Sequence, residues 1–255
     1  MSITLIGHDE AGHLERLLPT LGWADEVVYV DCGSRDGSAE LAARLGARVF
    51  LRHNDPNLNV NKAHAVAQVT GDWVLYLDPD ERVGPELAAE IRATIAAEPP
   101  QAAFELPRRN FYLGRWLRHG SQYPDRQLRL FRRGRAQFPC RHVHERLQVE
   151  GDIGRLRRPF DHHPYESLEQ LVAKFNFYTT VEARHLLERG ETGWGVGLRC
   201  CLLTPAARFA RRWLLKGGCL DGLPGLLAAL ADSASWPARF LKARDLLRQE
   251  RAARP

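Results

Sequence analysis

Along the first part of the chain, short apolar runs alternate with stretches whose apolar positions have helical spacing. Runs rich in β-branched and aromatic residues predict strands at Ile3–Gly7, Val27–Val30, Arg48–Leu51 and Trp73–Leu77. Leucine and alanine positions three and four apart predict the helices between them, at Ala11–Leu21, Ser38–Leu45 and Lys62–Val69. Strands that alternate with helices form a mostly parallel sheet with helices on both faces. The pattern therefore predicts an α/β fold.

The rest of the chain has a different pattern. Pro85–Ala97 predicts one more helix, and short strands follow at Ala103–Leu106, Gln127–Phe131 and Arg146–Val149. Leu168–Glu188 predicts a long helix, and the Leu-, Trp- and Arg-rich sequence from Trp194 onward is also helical in pattern. We predict one domain over residues 1–190, with halves at 1–100 and 101–190, and a basic, amphipathic helical tail at 191–255.

Polar clusters follow three of the predicted strands. They are His8-Asp9-Glu10, the segment from Asp31 to Gly37, and Asp78-Pro79-Asp80-Glu81. Ligands of parallel sheets bind at the carboxyl ends of the strands, so these clusters predict a binding edge. Each cluster also has a plainer explanation, because Asp, Gly and Ser are common turn residues.

The triplet Asp78-Pro79-Asp80 is the strongest chemical signal. Two carboxylates one residue apart after a buried strand can hold a hard divalent cation, Mg²⁺ or Mn²⁺, that also takes phosphate oxygens. The alternative is that Asp80 and Glu81 only cap the next helix. The position after the fourth strand favours the metal.

The net charge of +5 indicates an anionic partner. The tail from Arg208 to Arg254 has ten Lys and Arg against four Asp and Glu, so the rest of the chain is close to neutral. In Arg208–Lys216 and Trp236–Lys242, aromatic and leucine residues stand beside these cations. That composition favours helices that lie on an anionic membrane surface. Packing against the rest of the chain or a second subunit is the alternative.

The expected compartment is the cytoplasm. The five cysteines are odd in number and irregularly spaced, and the N-terminus begins directly on a strand pattern without a signal peptide. No apolar run reaches the roughly 20 residues that span a bilayer. We therefore expect a cytoplasmic protein, peripheral on the inner face of the cytoplasmic membrane.

Arginines and aromatic residues are interleaved between residues 108 and 135. Nucleic-acid sites use this mixture, but so do sugar acceptor sites, where aromatic faces pack on pyranose rings and Arg pairs with phosphate or carboxylate. The nearby strand-end carboxylates favour an anionic glycolipid and no nucleic acid. The candidate acceptor residues are Arg109, Trp116, His119, Tyr123 and Arg129.

Several stretches of this sequence carry a family resemblance. Val30-Asp31-Cys32-Gly33-Ser34-Arg35-Asp36-Gly37-Ser38, the segment from Thr70 to Glu81, and the spacing between them resemble the inverting family 2 glycosyltransferases of GT-A fold. The segments Pro107–Trp116, Tyr123–Gly134 and Val143-His144-Glu145 resemble the branch that builds the lipopolysaccharide inner core. The resemblance implies a Rossmann-like sheet, a nucleotide-diphosphate sugar as donor, and a lipopolysaccharide core acceptor.

The resemblance also implies roles for individual residues. Ile6, His8 and Glu10 would border the nucleotide, and Asp31 would face its base or ribose. Ser34 and Asp36 would shape this pocket, and Lys62 would face the diphosphate. Asp78 and Asp80 would form the metal motif, and His162 would complete the metal shell.

The base that deprotonates the acceptor hydroxyl should be a carboxylate on the far side of the sugar from the metal. Glu145 is the first candidate and Asp125 the second. His144 would orient Glu145 or the acceptor. A zinc site at Cys140, His142 and His144 is disfavoured, because the spacing is not that of zinc ligand pairs.

Three other classes of function were weighed. A phosphohydrolase or phosphotransferase with an aspartate nucleophile also uses paired aspartates, but usually after the first strand. A non-catalytic protein that binds sugar nucleotides or polysaccharides stays open. A nicotinamide oxidoreductase is disfavoured, because Ile6–Gly12 lacks the three-glycine fingerprint.

Overall fold

A computed structural model describes residues 1–55, 57–140 and 146–252. The chain divides into two compact units. The first comprises Met1–Arg108 and Asp125–His162, and the second comprises Arg109–Pro124 and the chain from His163 onward. The predicted division into a domain at residues 1–190 and a tail at 191–255 stays a prediction.

Most strands belong to the first unit. In chain order they are β1 (Ser2–Gly7), β2 (Glu26–Asp31), β3 (Arg48–Leu51), β4 (Trp73–Leu77), β5 (Glu81–Arg82), β6 (Ala103–Tyr112), β7 (Arg115–Trp116), β8 (Asp125–Arg132), β9 (Ala136–Gln137), β10 (Gln148–Val149), β11 (Ile153–Arg155) and β12 (Phe160–Tyr165). The main sheet has the order β3-β2-β1-β4-β8-β6-β12-β5. β1 to β4 pair in parallel, and β8 joins antiparallel to both β4 and β6.

The described part of the first unit has four helices, of which the first three connect the parallel strands and the fourth joins β5 to β6. They are α1 (Ala11–Leu17), which a 3-10 turn at Leu18–Leu21 extends, α2 (Ser38–Arg44), α3 (Leu58–Ala67) and α4 (Pro85–Ala96). Their apolar faces and the sheet form the core, where Leu5, Leu14, Leu17, Leu75 and Leu77 are fully buried. The predicted α/β fold is confirmed.

Several predicted boundaries were wrong. β6 runs on to Tyr112, past the predicted end at Leu106. Helix α3 begins at Leu58 instead of Lys62, because the Asn57 side chain accepts a hydrogen bond from the N–H of Asn59 and caps an earlier first turn. Residues 146 and 147 are not in a strand, since the β9–β10 ladder pairs only Gln148 and Val149.

The second unit is largely helical, as predicted for the tail. Its helices are α5 (Leu168–Glu188), α6 (Trp194–Leu198), α7 (Thr204–Phe209) and α8 (Gly222–Ala252). π-helical turns at Arg199–Leu203 and Ala210–Leu215 join α6 and α7 into one nearly continuous helical segment from Trp194 to Leu215. Helix α5 packs on α8 through Ala183, Leu186 and Ala243. Among the described residues, no single helix has the length and apolarity to cross a membrane. The helical segments Trp194–Leu215 and Gly218–Ala252, which meet at a bend of 69°, reach that length and apolarity only when they are taken together.

Candidate active site

The turn after β4 carries the paired aspartates. β4 is buried along its whole length, and the chain then reverses through Asp78, Pro79 and Asp80 into β5. Two reciprocal hydrogen bonds close the turn: the N–H of Glu81 donates to the Asp78 carbonyl (2.9 Å), and the N–H of Asp78 donates to Glu81 Oε2 (3.0 Å). Glu81 is therefore the residue that holds the turn in shape.

An arginine from β8 binds two carboxylates of this turn. Arg129 Nη2 donates to Asp78 Oδ2 at 2.8 Å and also to Glu81 Oε1. The Tyr76 hydroxyl donates to Asp78 Oδ1, and the Arg129 guanidinium lies 4.7 Å from the centre of the Tyr76 ring. Arg129 was predicted as an acceptor residue, and that role stays a prediction. In the structure its side chain is buried beside the metal motif.

The two carboxyl groups titrate in opposite directions. Burial alone would raise the pKa of Asp78, but the Arg129 guanidinium and the Lys62 ammonium outweigh it and hold that pKa well below its usual range. Burial raises the pKa of Glu81 to about 7, although the same guanidinium opposes the rise. At neutral pH, Asp78 is therefore charged, while Glu81 keeps its proton to a higher pH than an ordinary glutamate.

Asp80 lies beside a histidine from β12. β12 pairs antiparallel with β5, with His162 opposite Glu81, and this register brings His162 Nε2 to 3.7 Å from Asp80 Oδ2. Burial lowers the pKa of His162 to about 4, so its imidazole is neutral at pH 7. A carboxylate and a neutral imidazole are both good ligands for a divalent metal.

The donor set of this corner fits a metal that is shared with a substrate. No group of three or more His, Cys, Asp or Glu side chains suited to a metal ion occurs among the described residues. Metals that work with nucleotide phosphates are commonly held by one or two side chains, with phosphate oxygens and water as the other ligands. Asp80 and His162 would be two such ligands on one edge of the sheet, and their role in metal binding stays a prediction.

The loops after β1 and β2 are tied together. Ser34 Oγ accepts a hydrogen bond from the N–H of Asp9, and Asp36 Oδ2 accepts one from the N–H of Ala11, each at 2.9 Å. In return, Asp9 Oδ1 accepts from the N–H of Arg35 at 2.7 Å. Ser34 and Asp36 therefore fix the shape of this strand-end region, while the nucleotide pocket itself stays a prediction.

Asp31 is buried at the end of β2. Its Oδ2 accepts hydrogen bonds from the N–H groups of Gly33 (3.1 Å) and Ser34 (2.9 Å). Around it, Ile6 is buried in β1, Glu10 is half-buried, and His8 Nδ1 lies 2.8 Å from the Cys32 carbonyl oxygen. All of the predicted nucleotide residues thus lie at the carboxyl ends of β1 and β2, while their contacts with a nucleotide stay predictions.

A cavity of about 530 Å³ lies on the β8 side of this edge. Lys62 lines it, with its ammonium 4.8 Å from the centre of the Tyr76 ring, and Arg129 and Asp125 line it too. Asp125 is bound on both oxygens. Arg108 donates to Oδ2 at 2.9 and 2.6 Å, and Gln127 donates to Oδ1 at 2.7 Å. The cavity therefore has acidic and basic groups on its walls.

Two catalytic predictions lie outside the described residues. They are Glu145, the first candidate for the base, and His144, predicted to orient Glu145 or the acceptor. His142 of the disfavoured zinc site lies outside them as well. The cavity is also lined by Arg146 and Leu147, the first described residues after this segment.

The remaining acceptor candidates belong to the second unit. Trp116 packs edge-to-face on Tyr123 with ring centres 5.3 Å apart, and the guanidinium groups of Arg109 and Arg118 lie 5.5 and 4.4 Å from its ring centre. These residues form one aromatic and cationic cluster. Such a cluster can pack on a sugar ring and pair with an anionic substituent.

His119 has a partner that sequence reasoning missed. Asp221 is buried, and its two oxygens bind the backbone N–H and the Nδ1 of His119, each at 2.9 Å. The two residues are 102 positions apart, so no local motif could have signalled the pair. Asp221 fixes the orientation of the imidazole and directs its Nε2 away from the carboxylate.

Comparison with known proteins identifies the family of this chain. The model of the family described as Glycosyl transferase family 2 matches residues 13–158, more than half of the chain. A lipopolysaccharide core biosynthesis glycosyltransferase, LpsC of Rhizobium meliloti, is 26% identical over 91% of this chain and 87% of its own. An uncharacterized glycosyltransferase of Rickettsia typhi is 25% identical over 97% and 90%.

One solved structure aligns with nearly the whole molecule. The crystal structure of S. aureus TarS 1-349 covers 96% of this chain and 91% of its own, at 14% identity and a TM-score of 0.47. The family assignment rests on the match over residues 13–158 and on the glycosyltransferase relatives. This chain belongs to glycosyl transferase family 2 and is a glycosyltransferase.

Proposed function

We propose that this glycosyltransferase moves a sugar, with inversion, from a nucleotide-diphosphate donor to a glycolipid of the cell envelope, and that it needs a divalent metal. The lipopolysaccharide core is the favoured acceptor. The name of the Rhizobium meliloti relative supports this choice, as do the cationic and aromatic side chains of the acceptor candidates. The cytoplasmic face of the membrane is the proposed place of action, because nucleotide sugars and a membrane acceptor would meet there.

The pair formed by Asp80 and His162 carries the metal part of the proposal. Their 3.7 Å separation suits two ligands of one cation, and Asp78 adds negative charge to the same turn. Mg²⁺ or Mn²⁺ held there would neutralise the charge of the departing diphosphate. Lys62, whose charge already acts on Asp78, would add a second positive group on the leaving-group side.

The donor half is assigned to the loops after β1 and β2. Asp31 would bind the base or ribose, and Ile6, His8 and Glu10 would border the nucleotide. The hydrogen bonds of Ser34 and Asp36 support this role, because a pocket held rigid before binding loses less entropy when the donor arrives.

The acceptor half would supply the base. Inversion requires the acceptor hydroxyl to attack from the side opposite the diphosphate, so the proton must leave toward a carboxylate on that side. Glu145 is the proposed base and Asp125 the second candidate. The three hydrogen bonds that Asp125 accepts favour a role in holding Arg108 and Gln127.

The test compares Asp80→Asn with Asp72→Asn. Asp72 precedes the same strand at its other end and is 93% exposed, so its variant controls for the loss of one surface charge. Release of nucleoside diphosphate is measured with a panel of nucleotide sugars and with purified lipopolysaccharide core as acceptor. We expect metal-dependent release with at least one donor, a loss of about a hundredfold or more in Asp80→Asn, and no change in Asp72→Asn. Full metal-dependent transfer by Asp80→Asn would refute the metal assignment.

A further inference from the structure

An exposed apolar surface runs along the second unit. We call it the apolar face and define it by Trp194, Leu198, Leu202, Leu203, Leu214, Leu215, Leu220 and Leu223. Each of these side chains is at least 55% exposed, and Trp194 reaches 89%. Exposed Ala206 and Ala207 lie between the two halves of the segment. Single exposed leucines are common, but eight large apolar side chains exposed within positions 194–223 indicate an interaction site.

The backbone of this segment explains why the apolar residues point outward. Gly197 and Cys200 face the interior, where the Phe240 ring lies so close to Gly197 that a Cβ there would approach it to 2.9 Å. Trp194, Leu198 and Leu202 follow one another at intervals of one helical turn on the side away from Gly197 and Cys200, and all three are exposed. The π-helical turn at Ala210–Leu215 presents Leu214 and Leu215 in the same way.

The exposed charges within the segment of the apolar face, positions 193–223, are all positive. Arg199, Arg211 and Lys216 are exposed, whereas Asp221, the sole acidic residue of positions 193–223, is buried against His119. Arg208 and Arg212 are paired with Asp232 at 2.7 and 2.9 Å. Within positions 193–223, the exposed charged side chains are therefore all cationic.

Much of the tail singled out from sequence is engaged elsewhere. The Arg239 guanidinium stacks on the Trp236 ring, 3.5 Å from its centre, and pairs with Glu182 at 3.3 Å. Like Arg208 and Arg212, it is already committed inside the second unit. The apolar face involves leucines that lie mostly outside the two segments that the sequence favoured.

We infer that the apolar face docks on an anionic lipid bilayer. Leucines and a tryptophan would enter the interfacial layer while Arg199, Arg211 and Lys216 meet lipid phosphates. A second copy of this chain fits less well. A two-fold contact sets the same patch against itself, so these cations would face one another without a carboxylate to pair with. The inference deepens the proposed function, since a glycolipid acceptor lies in a bilayer, but it does not need that function to be correct.

The experiment measures co-sedimentation of the full chain with vesicles, without sugar donor or acceptor. One set of vesicles is phosphatidylcholine alone, and the other contains equal parts of phosphatidylcholine and phosphatidylglycerol. The variants are Leu215→Glu, Arg211→Glu and Lys216→Glu. The matched control is Leu168→Glu, which changes a leucine that is also exposed (55%) on a helix of the second unit but lies beside Glu166 and Glu169.

We expect the chain to bind the anionic vesicles at least tenfold more tightly than vesicles of phosphatidylcholine alone. Each cation at the membrane surface should strengthen binding to the anionic vesicles roughly fivefold. Leu215→Glu should lower binding about tenfold or more, because it removes an apolar contact and adds a negative charge. Arg211→Glu and Lys216→Glu should each lower it at least fivefold. Leu168→Glu should bind like the unmodified chain.

Three results would overturn the inference. The first is equal binding to both kinds of vesicle, and the second is binding that Leu215→Glu leaves intact. The third is a concentration-dependent dimer, seen by sedimentation velocity without lipid, that Leu215→Glu dissolves, because a second copy would then cover the face. Sugar transfer to a water-soluble acceptor fragment, measured on the same variants, distinguishes failure of the membrane inference from failure of the proposed function. The rate of this transfer should be the same in Leu215→Glu as in the unmodified chain.

Discussion

Arg129 donates a hydrogen bond to Glu81, a carboxyl group with no exposed surface that lies 48 positions earlier in the chain. The same guanidinium binds Asp78 at 2.8 Å, so one cation from β8 balances two carboxyl groups of the turn after β4. Breaking a buried ion pair by removing one partner usually costs several kcal/mol, because a charge stays behind without compensation. The turn that carries the metal motif therefore depends on Arg129 for its stability.

The first prediction concerns Arg129→Met, which keeps the length and apolar stem of the side chain. We expect the free energy of unfolding to fall by about 3–5 kcal/mol at neutral pH, measured by urea denaturation. Arg133→Met is the control. Arg133 is 50% exposed and lies 3.8 Å from Asp72, so its loss should change stability by less than about 0.5 kcal/mol.

The loss in Arg129→Met should also depend on pH. A carboxyl group whose pKa is raised by folding stabilises the fold at low pH, and this contribution is lost as the pH rises through the folded value, near 7 for Glu81. Without the guanidinium that pKa rises further. Arg129→Met should therefore be less destabilised at about pH 5.5 than at about pH 8.5. An equal loss at both values would contradict the assigned ion pair.

The second prediction concerns the titration of His162, whose pKa burial lowers from 6.5 to about 4. Above pH 6.5 the imidazole is neutral in both the folded and the unfolded chain. Below it, the unfolded chain binds a proton that the folded chain does not, so stability falls as the pH drops from 6.5 toward 4. The slope contributed by this one group is at most about 1.4 kcal/mol per pH unit.

Urea unfolding of His162→Asn between pH 4 and 7 checks this slope. We expect the variant to lose stability less steeply with falling pH than the unmodified chain. His53→Asn is the control, because the His53 imidazole is 75% exposed, and it should keep the full slope. Parallel curves for His162→Asn and the unmodified chain would mean that His162 is not buried beside Asp80.

The sequence predicts the parallel part of the fold well and the site only partly. The apolar run Trp73–Leu77 predicts a buried strand, and the observed strand has the same bounds. β12 was missed, because Phe-Asp-His-His-Pro-Tyr has no apolar alternation, yet its pairing with β5 brings His162 to Asp80. His162 was named only through the family resemblance. Periodicity cannot show which neighbour covers a polar position, and for that reason the burial of Arg129 was not predicted.

The third prediction tests the donor loop through Asp31→Asn. The carboxylate oxygen that binds the N–H groups of Gly33 and Ser34 becomes either an uncharged amide oxygen or an amide group that repels both donors. Stability should fall by about 1 kcal/mol, and the Kd for the donor nucleotide, measured by calorimetry, should rise about tenfold. Asp72→Asn should change neither quantity. A loss of stability with an unchanged Kd would remove Asp31 from the nucleotide pocket.

The fourth prediction concerns the buried partner of His119. Asp221→Asn can keep the hydrogen bond from the His119 backbone, but it replaces the charged oxygen 2.9 Å from Nδ1. If His119 binds the acceptor, the loss of this orientation should raise the KM for the acceptor about tenfold. Donor hydrolysis in the absence of acceptor should stay unchanged, because it does not use the acceptor residues.

A double-mutant cycle separates orientation from simple loss of stability. His119→Gln should raise the KM at least as much as Asp221→Asn, and the double variant should be no worse than His119→Gln, since Asp221 acts through the imidazole. Asp245→Asn, which changes a half-exposed carboxylate of α8 paired with Arg248, is the control and should leave the KM unchanged. Additive effects, or a parallel fall in donor hydrolysis, would show that Asp221 supports the fold and does not position His119 for the acceptor.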